Sequence, residues 1–314
     1  MNTTTDKVSA QSVLNDGFKV KNKKGEVIAP DKIRRCGRRI KTISPMAKVS
    51  PYIMVQRNES SNMIKDRIKT DKIDKYVKAK REQGLTNFTI MHVFVAAYIR
   101  AVSQRPGINR FIQGQKVYAR KNIEVCLTIK KEMSLESPDT VVKAFFYPDA
   151  TAEDVYYEFE RIINEYRNSP GGDFDDTAKI LSFIPGLVMK FAVGVLKFFD
   201  YFGLLPRFLT KLSPFHGSFF ITSMGSLGIP AIYHHLYDFG NVPIFLSFGS
   251  KYRENELQDD GSVVKHTYVD YTVVTDERIC DGYYFASALK FMRSVVRNPS
   301  QLDKKPEQVI SDIK

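Results

Sequence analysis

Along residues 123–129 apolar and polar positions alternate without a break. Ile123, Val125, Leu127 and Ile129 fall on one side, Glu124, Cys126 and Thr128 on the other. A period of two predicts a half-buried strand. Residues 141–147 predict a second strand, and residues 50–56 (SPYIMVQ), apolar and partly β-branched, a third. Residues 243–252 and 262–275 predict two long strands joined through Asp260-Gly261, a dipeptide that favours a hairpin turn. Elsewhere the period is helical. Thr70 caps a charged segment that Gly84 ends, and residues 88–102 form a more apolar helix that stops before Arg105-Pro106. Thr151-x-x-Asp154 has capping-box spacing, with Val155, Phe159, Ile162 and Tyr166 on one face of the helix that follows. The last helix, over 284–297, aligns Phe285, Leu289, Met292 and Val296 before Asn298-Pro299 stops it. Asn168-Ser-Pro-Gly-Gly172 breaks the chain, and no internal repeat is apparent. Helices flanking long strands predict a single α/β domain around a mixed sheet.

Composition adds material and charge. A chain of 314 residues with 43% hydrophobic residues can bury a sizeable core. The formal charge is +12, and residues 1–42 alone carry eleven Lys and Arg against four Asp and Glu, a net +7 (11 − 4). This basic arm, with residues 1–31 expected as a loose leader or edge strand, suits a polyanion or an anionic surface. Phe18 is its only aromatic residue, which disfavours nucleic acid, where bases stack on rings. Cys36, Cys126 and Cys280 are far apart and lack metal-ligand spacing, so reduced thiols in a cytoplasmic protein are expected, and no metal. The start, MNTTTDKVSA, has no apolar run, and no secretory signal is expected from it.

Candidate chemistry concentrates in residues 271–284, YTVVTDERICDGYY. A β-branched strand ends in Asp276, Glu277 and Arg278, and Asp281-Gly282 breaks the chain before the last helix. On spacing alone two readings are open: a solvated turn with a salt bridge, or a site of the kind that α/β folds often build where a buried strand gives way to a helix. The segment D-E-R-I-C-D-G, however, resembles the D-H-R-x-x-D-G signature of the acyltransferase component of 2-oxoacid dehydrogenase complexes. It is also similar to the H-x-x-x-D-G of chloramphenicol acetyltransferase. Asp276, Arg278, Asp281 and Gly282 match, while Glu277 stands where the family has its catalytic His. Upstream, residues 217–228 (GSFFITSMGSLG) resemble the family's G-x-F-T-I-S-x-L-G segment, with Thr222 at the hydroxyl position. Arg105-Pro-Gly-Ile-Asn109 is similar to its P-x-x-N.

The resemblance, which covers roughly residues 40–300, implies a chloramphenicol acetyltransferase-like, coenzyme A-dependent acyltransferase fold: an α+β two-layer sandwich with a mixed sheet. It implies a homotrimer with sites between subunits, where a His deprotonates the acceptor and a Ser or Thr of the neighbour hydrogen-bonds the oxyanion of a coenzyme A thioester. Carried over, Thr222 becomes the oxyanion donor, Asp281 the loop anchor and Glu277 the base. The partners implied are an acyl-CoA and an unknown acceptor. Two outcomes stay open for Glu277: a carboxylate base, or a structural salt bridge in a domain that has lost catalysis and binds acyl groups or acts as a scaffold. His216, His234 and His235 flank the Thr222 segment as other sources of imidazole. His92 and Cys280 are expected to be packing residues. No lipoyl attachment is expected, because no lipoyl domain or subunit-binding segment precedes residue 40.

The expected organisation is a basic arm at 1–42, the acyltransferase-like domain at 43–300 and a tail at 301–314. An apolar helical insertion at about 173–214 departs from the family. Within 179–215, Lys190, Lys197 and Asp200 interrupt any run long enough to span a bilayer, while Pro185, Gly186, Gly203 and Pro206 punctuate two short helices. Three placements are open: a helix pair packed on the body, a lid over a fatty acyl chain, or a membrane-surface contact through 179–215 that would make a cytoplasmic protein peripheral to the membrane.

Overall fold

The strands form largely where alternation predicts them. The computed structural model describes residues 18–33, 36–130, 139–168 and 183–313. A small antiparallel sheet contains β1 (Gly37–Arg39), β3 (Arg110–Gln113) and β4 (Lys116–Arg120), with β4 in the middle. The main sheet has six strands in the order β2-β9-β8-β7-β5-β6. These are β2 (Ser61–Lys69), β5 (Ile123–Lys130), β6 (Asp139–Phe146), β7 (Phe219–Ser223), β8 (Ile244–Leu257) and β9 (Val263–Asp276). The β5–β7 and β7–β8 pairs are parallel and the rest antiparallel, so the sheet is mixed. The β8–β9 hairpin closes at Gly261, whose φ of 81° is a left-handed conformation that glycine adopts without strain.

Helices cover one face of the sheet. They are α2 (Asp71–Glu82), α3 (Ile90–Gln104), α4 (Ala152–Asn168) and, near the C-terminus, α7 (Gly282–Arg297). α3 is buried on nearly every side from Val93 to Ser103, as a helix apolar all round must be. Its Tyr98 stacks on Phe219 of β7 with ring centroids 4.2 Å apart. In α4 the four predicted residues Val155, Phe159, Ile162 and Tyr166 are all buried. Thr151 and Asp154 make the reciprocal capping bonds, the Asp154 N–H to Thr151 Oγ1 at 3.2 Å and the Thr151 N–H to Asp154 Oδ2 at 2.8 Å.

Two expectations fail for physical reasons. Residues 50–56 are not a strand; most of them lie in α1 (Pro45–Ile53). Ser44 caps this helix by accepting the Ala47 N–H, and Pro45 holds the first helical position, so the start signal outweighs the β propensity of the residues after it. β5 is not half-buried either, because Glu124 and Cys126 are as fully enclosed as the apolar face. The second face of the sheet carries its own small core, in which Cys126 packs with Phe220, Leu236 and Phe245. Glu124 is compensated there by Arg207, 2.7 Å away, and Lys143, 3.9 Å away.

Both described ends of the chain are docked. Tyr147 accepts the Val20 N–H and donates to the Ile28 carbonyl, holding the basic arm from residue 18 onward. At the other end Asp312 takes two bonds from Arg110, at 2.6 and 2.8 Å, and Leu302 and Val309 are buried.

His92 is a packing residue with a pH consequence. Its ring stacks on Phe88 at 4.9 Å, and its Nδ1 accepts the Thr89 N–H at 3.0 Å, closing the cap of α3. Burial pushes its pKa down from 6.5 to about 4. The folded chain therefore refuses a proton that the unfolded chain accepts. Stability is full above pH 6.5 and falls as the pH drops from 6.5 to about 4, by about 3 kcal/mol for this group. His92→Gln, which keeps an acceptor for Thr89, is expected to shrink that acid-side loss in urea titrations. Some slope remains, because burial lowers the pKa of His216 too.

Candidate active site

The end of β9 is braced by a buried ion pair. Asp276 accepts from Arg278 Nε at 2.8 Å, Arg278 Nη2 at 2.7 Å, the Arg278 N–H at 3.1 Å and Ser60 Oγ at 3.0 Å. Arg57 Nε lies 3.5 Å away. Arg278 also donates through Nη1 to the carbonyls of Met54 and Val55, and Arg57 to those of Tyr237 and Asp238. One carboxylate and two guanidiniums thus tie together the end of β9, the α1–β2 connection and the loop at 237–238. Enclosed charges persist in a protein only when satisfied in this way.

That bracing puts Glu277 on the rim. Its N–H donates to the Ser60 carbonyl at 2.9 Å, while its side chain is exposed and accepts one bond, from Asn62 Nδ2 at 2.9 Å. The salt bridge, one of the two outcomes open for Glu277, is made by Asp276 instead. Glu277 has no ion pair among the described residues. Asp281 is exposed and caps α7, its Oδ1 accepting the Tyr284 N–H at 2.8 Å. Tyr284 in turn accepts the Gly107 N–H at 2.9 Å, and a Cβ on Gly107 would lie 2.6 Å from the Tyr284 ring. The R-P-G-I-N and D-G segments, distant in sequence, therefore meet, and a side chain at 107 would have to displace the Tyr284 ring. Cys280 packs against the core, and burial pushes its thiol up to about 12, which leaves little thiolate for nucleophilic chemistry.

Thr222 is placed elsewhere. It lies in β7, buried, in register with Ser247 of β8, which in turn pairs with Thr272 of β9. In-register residues of adjacent strands share a face. Three hydroxyls therefore cross the sheet in a row, with Ile232 over them: its N–H lies 3.4 Å from Ser247 Oγ, and its carbonyl accepts from Thr272 Oγ1 at 2.5 Å. Sequence reasoning missed this row, which only strand pairing reveals. Glu277 lies five residues beyond Thr272, so it is roughly 16 Å along the strands from Thr222 and two strands across. A single chain does not bring the two together.

The histidines are engaged in packing or hydrogen bonds. His216 is buried, its Nε2 3.0 Å from Asp200 Oδ1 and its Nδ1 2.8 Å from Ser213 Oγ. His234 stacks on Phe245 at 4.0 Å, and His235 meets Tyr237 edge-on. A cavity of about 260 Å³ opens beside the Asp276 brace, lined by Arg57, Gln113, Asp200 and Arg278 among others. No cluster of three His, Cys, Asp or Glu able to hold a metal occurs among the described residues.

No family model matches this chain, and neither does any curated protein. Solved structures do. A probable dihydrolipoamide acetyltransferase from Listeria monocytogenes matches over 83% of this chain and 94% of its own, at 16% identity and a TM-score of 0.53. A dihydrolipoamide acetyltransferase from Azotobacter vinelandii matches over 83% and 93%, at 10% identity and a TM-score of 0.52. The truncated catalytic core of a 2-oxoacid dehydrogenase multienzyme complex from Thermoplasma acidophilum matches over 83% and 99%, at 10% identity and a TM-score of 0.51. The fold is that of these acyltransferase cores. At such identities the likeness extends to the fold alone. Within the acyltransferase fold, the two motif-bearing segments occupy β7 with the turn after it and the β9–α7 junction.

Proposed function

We propose that the chain is an acyltransferase that takes the acyl group of a coenzyme A thioester and passes it to an acceptor hydroxyl or thiol. Glu277 is the general base, Thr222 of a neighbouring copy the oxyanion donor, and Asp281 the anchor of the loop between them. The observation that carries this reading is the division of labour at the end of β9. Asp276 and Arg278 neutralise each other inside, and the carboxylate at the catalytic position is left facing outward with a single hydrogen bond. A structural salt bridge would have engaged it. A carboxylate so placed can take the acceptor's proton as the acceptor attacks the thioester carbonyl. The Thr222 hydroxyl would then meet the charge that develops on the carbonyl oxygen.

A homotrimer completes the site. Exposed apolar side chains stand beside both halves, Leu227, Ile229 and Tyr233 after the Thr222 strand and Ile53 and Val55 beside Arg278. Apolar surface of this kind suits contact with another copy. Sedimentation at micromolar concentration is expected to give a trimer, and a stable monomer would remove the shared site. The reading itself is tested by incubating the protein with a panel of acyl-CoAs and following free thiol with and without acceptors. Acceptor-dependent thiol release is expected. Binding without release, across all acceptors, would favour a domain that holds acyl groups and does not transfer them.

A further inference from the structure

The helix α5 (Gly186–Tyr201) is apolar over most of its surface, yet none of its residues is buried. Its outermost ridge is Leu187, Phe191, Phe198 and, just past the end, Phe202, which are 85, 73, 59 and 57% exposed. Even away from the ridge Val193 and Leu196 are more than a third exposed. A short helix draws most of its stability from burying an apolar face, and this one leaves its apolar face uncovered. The polar residues point to how it is oriented. Asp200 turns inward, to His216 and the Gly240 N–H, and Tyr201 bonds Gln115. Lys190 and Lys197, seven residues apart on one flank, are left as the exposed charges, and both are cationic. The following helix α6 (Arg207–Leu212) is held to the body by Arg207, which bonds Glu124 and the Ile33 carbonyl, while Phe208 stays 68% exposed. The polar contacts thus fasten the hairpin to the body, and its apolar surface faces out.

We infer that this hairpin is a membrane anchor: α5 lies in the interface of an anionic bilayer, its phenylalanines among the acyl chains and its two lysines at the lipid phosphates. Three features favour lipid over a second copy of the chain. A facing helix would cover the ridge and leave the exposed apolar flanks wet, whereas acyl chains can reach past the ridge to them. The ridge carries no hydrogen-bonding side chain that would set a register against a protein partner. The charge left exposed on the helix matches anionic headgroups, and so does the net +12 of the chain. The helix is roughly 24 Å long, and no helix among the described residues is long and apolar enough to cross a membrane, so an in-plane position is the one available.

Vesicle flotation of the full chain tests this without reference to acyl transfer. Vesicles of equal phosphatidylglycerol and phosphatidylcholine are compared with phosphatidylcholine alone. The protein is expected to float with the anionic vesicles, and Leu187→Glu/Phe191→Glu to lower the floated fraction about tenfold. Lys190→Glu/Lys197→Glu is expected to weaken the preference for anionic lipid, and a preference undiminished by it would overturn the placement of the two lysines at the phosphates. All four side chains are exposed, so circular dichroism should show every variant folded. Failure of the parent chain to float would overturn the inference, as would undiminished flotation of Leu187→Glu/Phe191→Glu. So would light scattering in which that variant lowers the oligomer mass of a chain that ignores vesicles, since a second copy would then cover the ridge.

Discussion

Glu277→Gln is expected to leave the protein folded and to slow acyl transfer by about 10²–10⁴-fold, the usual contribution of a general base. The amide keeps the length and shape of the side chain and can still accept from Asn62, but it cannot take a proton. Because the side chain is exposed, its stability is expected to stay within about 0.5 kcal/mol of the parent. The loss should fall on kcat, because the proposed base would act on the acceptor and not on thioester binding. Thr222→Val removes one hydroxyl from a buried strand position while keeping the β-branched shape. Its expected cost is one oxyanion hydrogen bond, roughly 3–4 kcal/mol in the transition state. Turnover unchanged in Glu277→Gln would move the base elsewhere.

One residue earlier, the expected effect is on folding. Asp276→Asn should destabilise the protein by about 3–5 kcal/mol, because it leaves the guanidiniums of Arg278 and Arg57 enclosed without their counter-charge. The measurement is the urea midpoint at unchanged slope, compared with Glu277→Gln in the same buffer. A double-mutant cycle with Arg278→Met is expected to return part of the loss, since removing both charges is gentler than stranding one. Neighbouring carboxylates of one turn would then answer to opposite readouts. Asp276 would show in stability and Glu277 in turnover.

Much of the fold was legible in the sequence because it is written in local periods. The alternation at Ile123–Ile129, the Asp260-Gly261 hairpin and the Thr151–Asp154 capping box each depend on residues a few positions apart. What failed depends on neighbours that local pattern does not name. Nothing near Glu124 says that Arg207 and Lys143 will close over the second face of β5. Residues 50–56 would need a partner strand, and a cap at Ser44 decided otherwise. At the site, the partner of Arg278 could have been read correctly. Residues two apart at a strand end point the same way, so Asp276, not Glu277, faces Arg278. Arg57 and the hydroxyl row through Ser247 and Thr272 could not, since both rest on long-range pairing. The separation of Thr222 from Glu277 likewise follows from strand order, which no local motif carries.

The central claim is that each site takes Glu277 from one chain and Thr222 from the next, and subunit mixing tests it most directly. Thr222→Val and Glu277→Gln chains, each nearly inactive, are co-expressed and the acyl-CoA thiol-release rate of the mixture is measured. In a symmetric trimer with shared sites, about a quarter of the interfaces in an equal mixture join an intact Glu277 to an intact Thr222. The rate is therefore expected to rise well above that of either parent, toward a quarter of the unsubstituted protein's. A mixture no faster than the average of its two parents would contradict a site built across subunits.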